Sequence, residues 1–340
     1  MNGLMKREQK TADYSNRKGR KSAFSSPLAL GLLAAVPGAK DPVDAILWHA
    51  GALVIESGIT EPPYAPASYA PLRNVKEIVH RDMEIDGRLI PNAGGFIIEL
   101  RKDRSHERKN FTLAHELAHT FFYESVPSIK YRSLTSLHPH HDADEETLCN
   151  IAAAEMLMPS PVFSKIAKDY SATPRSLQEL SRLFETSLTA TIVHLLRLGI
   201  WNTTFILWKL KGEKIGASWL AQPRSGLVHS PMLEILNPQV SSVYHTFKTG
   251  DATTNTEWLC LNRGYKFCPI HSIRLNNKMV LSVITQQSVS QCPPPAKSGS
   301  TLPALPMEYD CACDGTGWRL FSKDSRTYAA RCRASHHKTH

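Results

Sequence analysis

The sequence predicts an α+β protein with three folded parts. Two helical segments follow a short extended piece, "GGFIIEL", in the first half of the chain. The helical pattern stops at "MPSP", where Pro159 and Pro161 prevent a helix from continuing, and a short all-helical stretch comes next. From Trp201 onward, the apolar residues form short runs rich in β-branched and aromatic side chains, which predicts strands. We therefore expect a mixed domain, a small helical unit and a second α+β domain.

The domain boundaries follow from changes in composition along the chain. The predicted segments are a basic tail with a first helix at residues 1–39, the mixed domain at 40–160, the helical unit at 161–200, the second α+β domain at 201–286, a Pro/Ser-rich linker at 287–310, and a basic tail containing cysteine and histidine at 311–340.

The positive charge of the chain is confined to its two tails. Residues 1–26 and 314–340 account for the whole formal net charge of +9, so the part between them is neutral. Solvated basic tails explain this pattern better than a nucleic-acid surface does. The apolar run Leu28–Val36 is too short to span a membrane and predicts a first helix rather than a signal peptide. Seven cysteines, an odd number, do not indicate a disulfide framework, so we expect a reducing cytoplasm.

The stretch "NFTLAHELAHTFF" carries the strongest chemical signal. His115 and His119 are four residues apart, so a helix places both imidazoles on one face, close enough to bind one tetrahedral ion. Glu116 lies about 100° around the helix from His115, where it can take a proton from metal-bound water. This pattern predicts a zinc site with Glu116 as the catalytic base.

A catalytic zinc ion has three protein ligands and one open position, so a third ligand is needed. The longer motif with glycine at 122 and histidine at 125 is excluded, because the chain has Phe122 and Ser125 at those positions. The third ligand must therefore come from farther along the chain. The acid-rich stretch "LHPHHDADEETLCN" is the nearest source of one.

A second helix is predicted for "DADEETLCNIAAAEMLMP", with Asp142 or Asp144 as its N-cap. Glu146 shares a face with the small residues of this helix, whereas Glu155 points to the opposite side. If the small face packs on the first helix, Glu146 is the carboxylate directed at the ion. We therefore expect Glu146→Gln to release the metal and the same change at Glu145 or Glu155 to leave it bound.

Together, "RKNFTLAHELAH" and "ETLCNIAAAEMLMP" resemble the ImmA/IrrE family of zinc metallopeptidases. The resemblance covers residues 40–160 and implies a zincin-like metallopeptidase domain. It also implies that His115, His119 and Glu146 are the zinc ligands and that Glu116 is catalytic.

The same resemblance implies an architecture and a substrate class. In this family a helix-turn-helix-like unit follows the peptidase domain, and the IrrE branch adds a GAF-like domain, for which residues 201–286 are a candidate. Family members cleave helix-turn-helix transcriptional repressors and so release stress-response or mobile-element genes. The implied partner is a protein of that kind. No membrane partner is expected, because no apolar run is long enough to span one.

The expected chemistry is hydrolysis of a peptide bond by zinc-activated water. Glu116 accepts the proton of the water and passes it to the leaving amine. The candidate donors to the oxyanion are Tyr123, Tyr131 and His141. Mn²⁺ is an alternative to Zn²⁺, because an order of affinities does not by itself fix which metal is bound in cells.

Two further patterns leave alternatives open. The helix-turn-helix outline at 176–198 offers only His194 and Arg197 as long polar side chains on its second helix, which favours packing or substrate docking over DNA binding. In the C-terminal tail, cysteine and histidine side chains either form a second, structural zinc site or stay unpaired. The candidate ligands of that second site are Cys311, Cys313, Cys332 and His336.

A different function is also compatible with these motifs. The chain could be a non-proteolytic transcriptional regulator or a toxin–antitoxin partner that binds protein through the same fold. The presence of Glu116 favours the enzyme, because a protein that only binds has no need of a base.

Overall fold

The computed structural model describes residues 24–125, 142–211, 214–223, 241–261, 264–285, 290–291, 318–323 and 326–331. The chain divides into two compact units. One consists of Met1–Tyr170 with Leu177–Ile200, and the other of Ser171–Ser176 with Trp201–His340. Each contains helices and strands, which confirms the predicted α+β class.

The first unit combines a small sheet with a set of helices. Its helices are α1 (Pro27–Ala35), α2 (Pro42–Glu56), α3 (His106–Ser125), α4 (Ala143–Leu157), α5 (Ser160–Lys168), α6 (Pro174–Leu183) and α7 (Leu188–Leu198). The first three residues of α6 are assigned to the second unit. Its strands are β1 (Val75–Arg81), β2 (Gly87–Asn92) and β3 (Gly95–Arg101), preceded by two 3₁₀ turns at Pro66–Tyr69 and Pro71–Arg73.

The three strands form a mixed sheet in the order β1-β3-β2. β3 is parallel to β1 and antiparallel to β2, and its residue Ile98 lies between Ile78 and Leu89 in the register. Only β3 was expected from the sequence. β1 and β2 have few fully buried residues, and β2 contains Pro91, so neither gives the apolar signal of a central strand.

The start of α4, the acid-rich helix, is fixed by side-chain caps. Asp142 is the N-cap, and its carboxylate accepts hydrogen bonds from the backbone amides of Asp144 and Glu145. The carboxylate of Asp144 in turn accepts the amides of Ser25 and Ser26, at 2.8 and 2.9 Å. The beginning of α1 is thereby attached to the beginning of α4.

The other end of α4 is joined to the helices that follow it. Glu155 accepts hydrogen bonds from the backbone amide and the hydroxyl of Ser160, at 2.7 and 2.6 Å. Arg197 of α7 donates to the same carboxylate at 2.6 Å and lies 3.3 Å from His194 Nδ1. Both long polar side chains of the second helix of the predicted helix-turn-helix are therefore held inside this unit.

The second unit is built on one antiparallel sheet. Its elements are β4 (Thr203–Lys211), β5 (Lys214–Ala221), α8 (Ser242–Thr249), β6 (Thr253–Leu261), β7 (Gly264–Asn276), β8 (Met279–Thr285), β9 (Ser290–Gln291), β10 (Trp318–Lys323) and β11 (Arg326–Arg331). The strand order is β5-β4-β8-β7-β6, β9 pairs with β7, and β10 and β11 form a separate antiparallel pair.

A single apolar cluster holds α8 against this sheet. It includes Trp208 of β4, Phe247 of α8 and Ile284 of β8. The indole of Trp208 donates to Ser282 Oγ at 2.8 Å, so its polar atom is paired although the side chain is buried. The predicted strands of this region are present, whereas α8 was not expected. None of the features described in this unit identifies a GAF-like domain.

Within the described part of the chain, no helix has the length and apolar character that crossing a membrane requires. The predicted first helix at Pro27–Ala35 instead buries Leu28, Ala29 and Leu32.

Candidate metal centre

Helix α3 brings two imidazoles together at its middle. His115 and His119 lie one turn apart, and their Nε2 atoms are separated by 3.2 Å. The apolar residues of α3 are buried, among them Leu113, Leu117 and Phe121, so the helix is packed firmly into the first unit. The exposed fraction of each imidazole is 14%, which leaves them accessible at the edge of the packed region.

Glu146 of α4 completes a group of three metal-binding side chains. Its carboxylate oxygens lie 3.4 Å from His115 Nε2 and 3.7 Å from His119 Nε2. A tetrahedral zinc ion bound to nitrogen and oxygen at its usual distances separates its ligand atoms by about 3.3 Å. The distance between the two nitrogens and the distance from each nitrogen to its nearer Glu146 oxygen are close to this value, so these residues fit a zinc ion.

Two other residues of α4, Glu145 and Asn150, contact the Nδ1 atoms of the two imidazoles. Glu145 Oε1 lies 2.6 Å from His119 Nδ1, and Asn150 Oδ1 lies 3.1 Å from His115 Nδ1. Such outer contacts fix the orientation of ligating histidines and leave Nε2 free for the metal. The sequence predicted that Glu145→Gln would leave the metal bound, and it gave Asn150 no role. The signal that was available is their spacing, since they lie one residue before Glu146 and four after it.

The acceptors around His119 change its protonation. Burial by itself lowers the pKa of His119, but the charge and hydrogen bond of an ionised Cys149, followed by the hydrogen bond to Glu145 and the charge of Glu116, raise that pKa well above its ordinary value. Burial also raises the pKa of the Cys149 thiol to about 11, so this thiol is neutral near pH 7. Because Cys149 carries no charge there, we take the Glu145 carboxylate as the main partner of the imidazole.

Glu116, the candidate base, is a residue of α3, and its side chain lies beside the edge strand β2. Its side chain is buried, and a β-carbon added at Gly87 would lie 3.2 Å from Glu116 Oε1 and would collide with the methyl group of Thr112. The glycine therefore allows β2 to approach α3 closely beside this carboxylate. Sequence reasoning gave Gly87 no role, because the two positions are far apart in the chain.

Of the three candidate oxyanion donors, the structure describes Tyr123. Tyr123 lies on α3 one turn beyond His119, where its ring packs edge-on against Phe96 of β3 with 5.1 Å between the ring centroids. The other two candidate oxyanion donors and the four candidate ligands of a second zinc site lie outside the described residues; they are Tyr131, His141, Cys311, Cys313, Cys332 and His336.

Comparison with known families agrees with this geometry. The family model of IrrE N-terminal-like domains, a family of M78 peptidases, matches residues 77–195. This stretch of the chain belongs to the ImmA/IrrE family. The IrrE-like domain includes the two helices that carry the metal-binding group and extends into α7.

Two curated relatives share this domain. The chain is 34% identical over 112 residues to the radiation response metalloprotease IrrE of Deinococcus radiodurans, and the match covers 32% of each protein. It is also 34% identical over 91 residues to the protein of the same name from Deinococcus deserti, covering 25% of this chain and 31% of the relative. The chain thus matches about a third of each relative, so the likeness concerns the IrrE-like domain rather than the whole proteins.

One solved structure has also been aligned with the chain. A Mycobacterium tuberculosis transcriptional regulator covers 71% of this chain and 87% of its own, with 15% identity and a TM-score of 0.46. A score at this level is too low to establish a common fold.

Proposed function

We propose that this protein is a zinc-dependent endopeptidase that hydrolyses a peptide bond in a protein substrate. The observation that carries the proposal is the convergence of His115, His119 and Glu146 beside Glu116, within a domain of a metallopeptidase family. Two imidazoles and one carboxylate leave the fourth position of a tetrahedral ion open for water. The curated relatives, which carry the name metalloprotease, support the same chemistry.

The side chains present divide the work of hydrolysis between them. A bound Zn²⁺ would polarise the scissile carbonyl and lower the pKa of water toward neutrality, and Mn²⁺ is an alternative occupant. His115, His119 and Glu146 would hold the ion. Glu116 would accept the proton of the attacking water and return it to the amine that leaves. The absence of a β-carbon at Gly87 leaves room beside β2 for the Glu116 carboxylate.

We further propose that the substrate is a helix-turn-helix transcriptional repressor, and that its cleavage in the cytoplasm switches on stress-response or mobile-element genes. The radiation response in the names of the two curated relatives supports a stress-related role. The engagement of Arg197 and His194 within their own unit favours a protein substrate over direct contact with nucleic acid.

The proposal is tested by comparing new protein N-termini in cells that express the wild-type chain or Glu116→Gln. One discrete cleavage within a repressor, absent from the variant, is the expected result. Many scattered cleavages would indicate a general protease instead. The same N-termini in both strains would contradict the enzyme and favour a regulator or toxin–antitoxin partner that only binds protein.

A further inference from the structure

We propose that Glu145 is a positioning residue whose carboxylate holds His119 in the orientation that binds the metal. This inference rests on the metal site of the proposed function but not on proteolysis. Glu145 precedes the ligand Glu146 directly, so one helical turn would supply both a metal ligand and the group that orients another ligand.

The geometry of His119 requires one ring nitrogen for each task. Its Nδ1 lies 2.6 Å from Glu145 Oε1, while its Nε2 lies 3.2 Å from His115 Nε2 and 3.7 Å from Glu146 Oε1. When Nδ1 carries the proton and donates it to the carboxylate, Nε2 has the lone pair that a metal ion needs. The hydrogen bond therefore selects both the tautomer and the direction of the ring.

The position of Glu145 excludes an ordinary surface role. Its side chain is only 7% exposed, and a buried carboxylate is costly unless it is paired. The described ion pair of Glu145 joins it to His119, so the carboxylate and the imidazole constrain each other. A charge-assisted bond of this length is stronger than a bond between neutral groups.

The second imidazole is held more weakly. Asn150 Oδ1 lies 3.1 Å from His115 Nδ1, and an amide oxygen is a neutral acceptor. The two ligands of α3 are thus oriented by two residues of α4, one charged and one uncharged. We expect loss of Asn150 to affect the metal less than loss of Glu145.

Glu155 is the matched control for Glu145. Both are buried glutamates of α4 with short hydrogen bonds, but Glu155 binds Ser160 and Arg197 and has no described contact with the metal group. A general weakening of α4 would follow from either substitution. A change in the metal site would follow from Glu145 alone.

The experiment measures zinc affinity of the full chain by competition with a chromophoric chelator, and ligand geometry from the visible spectrum of the cobalt-loaded protein. For Glu145→Gln we expect about a 10- to 100-fold loss of zinc affinity and a shifted cobalt spectrum. For Glu155→Gln we expect a lower melting temperature with zinc affinity within about threefold of wild type and an unchanged spectrum. Glu145→Asp, which keeps the charge but shortens the reach, provides a second variant with the same expected direction as Glu145→Gln.

Three results would overturn the inference. Wild-type zinc affinity in both Glu145 variants would show that the contact is dispensable, and equal losses in the Glu145 and Glu155 variants would show a structural role only. A loss in Cys149→Ala, with none in the Glu145 variants, would assign the orienting role to the thiol. Failure of the wild-type chain to bind zinc or cobalt would instead remove the proposed function, whereas normal zinc binding without cleavage would leave the role of Glu145 intact.

Discussion

Gly87 and Glu116, on an edge strand and on the metal-binding helix, lie so close together that a β-carbon at position 87 would be 3.2 Å from Glu116 Oε1. The same β-carbon would meet the side chain of Thr112, which is buried and hydrogen-bonded to the carbonyl oxygen of Arg108. The buried, hydrogen-bonded side chain of Thr112 cannot move away freely. The position of the candidate base therefore depends on a residue that lies 29 positions before it in the chain.

Gly87→Ala should reduce cleavage more than it reduces stability. A methyl group at position 87 would collide with the Thr112 methyl group and lie 3.2 Å from Glu116 Oε1, so the strand or these side chains must shift. A misplacement of the base lowers catalytic rates on the order of 100-fold. The measurement is the cleavage rate of the substrate found in the N-terminus comparison, alongside zinc content and melting temperature. Gly51→Ala is the control, because a β-carbon there meets nothing within 4 Å. A fully active Gly87→Ala variant would contradict the role of this contact.

Glu116→Gln should keep the metal and lose cleavage. The amide has nearly the same shape as the carboxylate but cannot accept the proton, and loss of a general base lowers rates about 10²- to 10⁴-fold. Zinc per chain, measured by elemental analysis, should equal that of the wild type. Normal proteolysis by this variant would rule out Glu116 as the base.

Glu146→Gln should release the metal. The carboxylate is the one acidic member of the candidate ligand set, and a neutral amide is a poor replacement for it. We expect a larger loss of zinc affinity than in Glu145→Gln, because a ligand is removed rather than reoriented. Glu56→Gln, an exposed glutamate at the end of α2, controls for the change in net charge. Equal zinc affinity in the Glu146 and Glu56 variants would exclude Glu146 as a ligand.

His194 should make the stability of the protein depend on pH. Burial, followed by the charge of Arg197, holds the pKa of His194 well below 6.5 in the folded state. Below pH 6.5 the unfolded chain therefore takes up a proton that the folded chain does not. The free energy of unfolding should fall as the pH decreases below 6.5, with this residue contributing at most about 1.4 kcal/mol per pH unit.

The contribution of His194 is isolated by comparing metal-free wild type with metal-free His194→Gln at several pH values. Both proteins contain the same titrating metal ligands, so the difference between their free energies of unfolding reports on position 194. We expect this difference to shrink as the pH falls from 7.5 to about 5.5, because only the wild type loses stability through this group. A difference that does not vary with pH would contradict the prediction.

The parts of the site that depend on local structure were predictable from the sequence. The spacing of His115 and His119 fixes their common face on any helix, and the phase of the next helix distinguishes Glu146 from Glu155. The contacts that depend on packing were not predictable. Whether Glu145 reaches His119 depends on how closely α4 approaches α3, so the expectation that Glu145→Gln leaves the metal undisturbed is replaced by the weaker binding inferred above.

The elements of the fold also divide into those that local sequence predicts and those that depend on packing. Helices with strong caps, such as α4 at Asp142 and α7 at Ser187, begin where local chemistry indicates. Strands β1 and β2 owe their structure to pairing with β3 rather than to an apolar pattern of their own. Their identification requires knowledge of the partner strand.

The arrangement of Glu145, Glu146 and Asn150 on one helix limits how this region can change during evolution. Insertion or deletion of one residue between Glu145 and Asn150 would rotate one part of the helix by about 100° relative to the other. Glu145 and Asn150 could then no longer face His119 and His115 at the same time. A change in the length of this segment should therefore weaken metal binding even where all three side chains are kept.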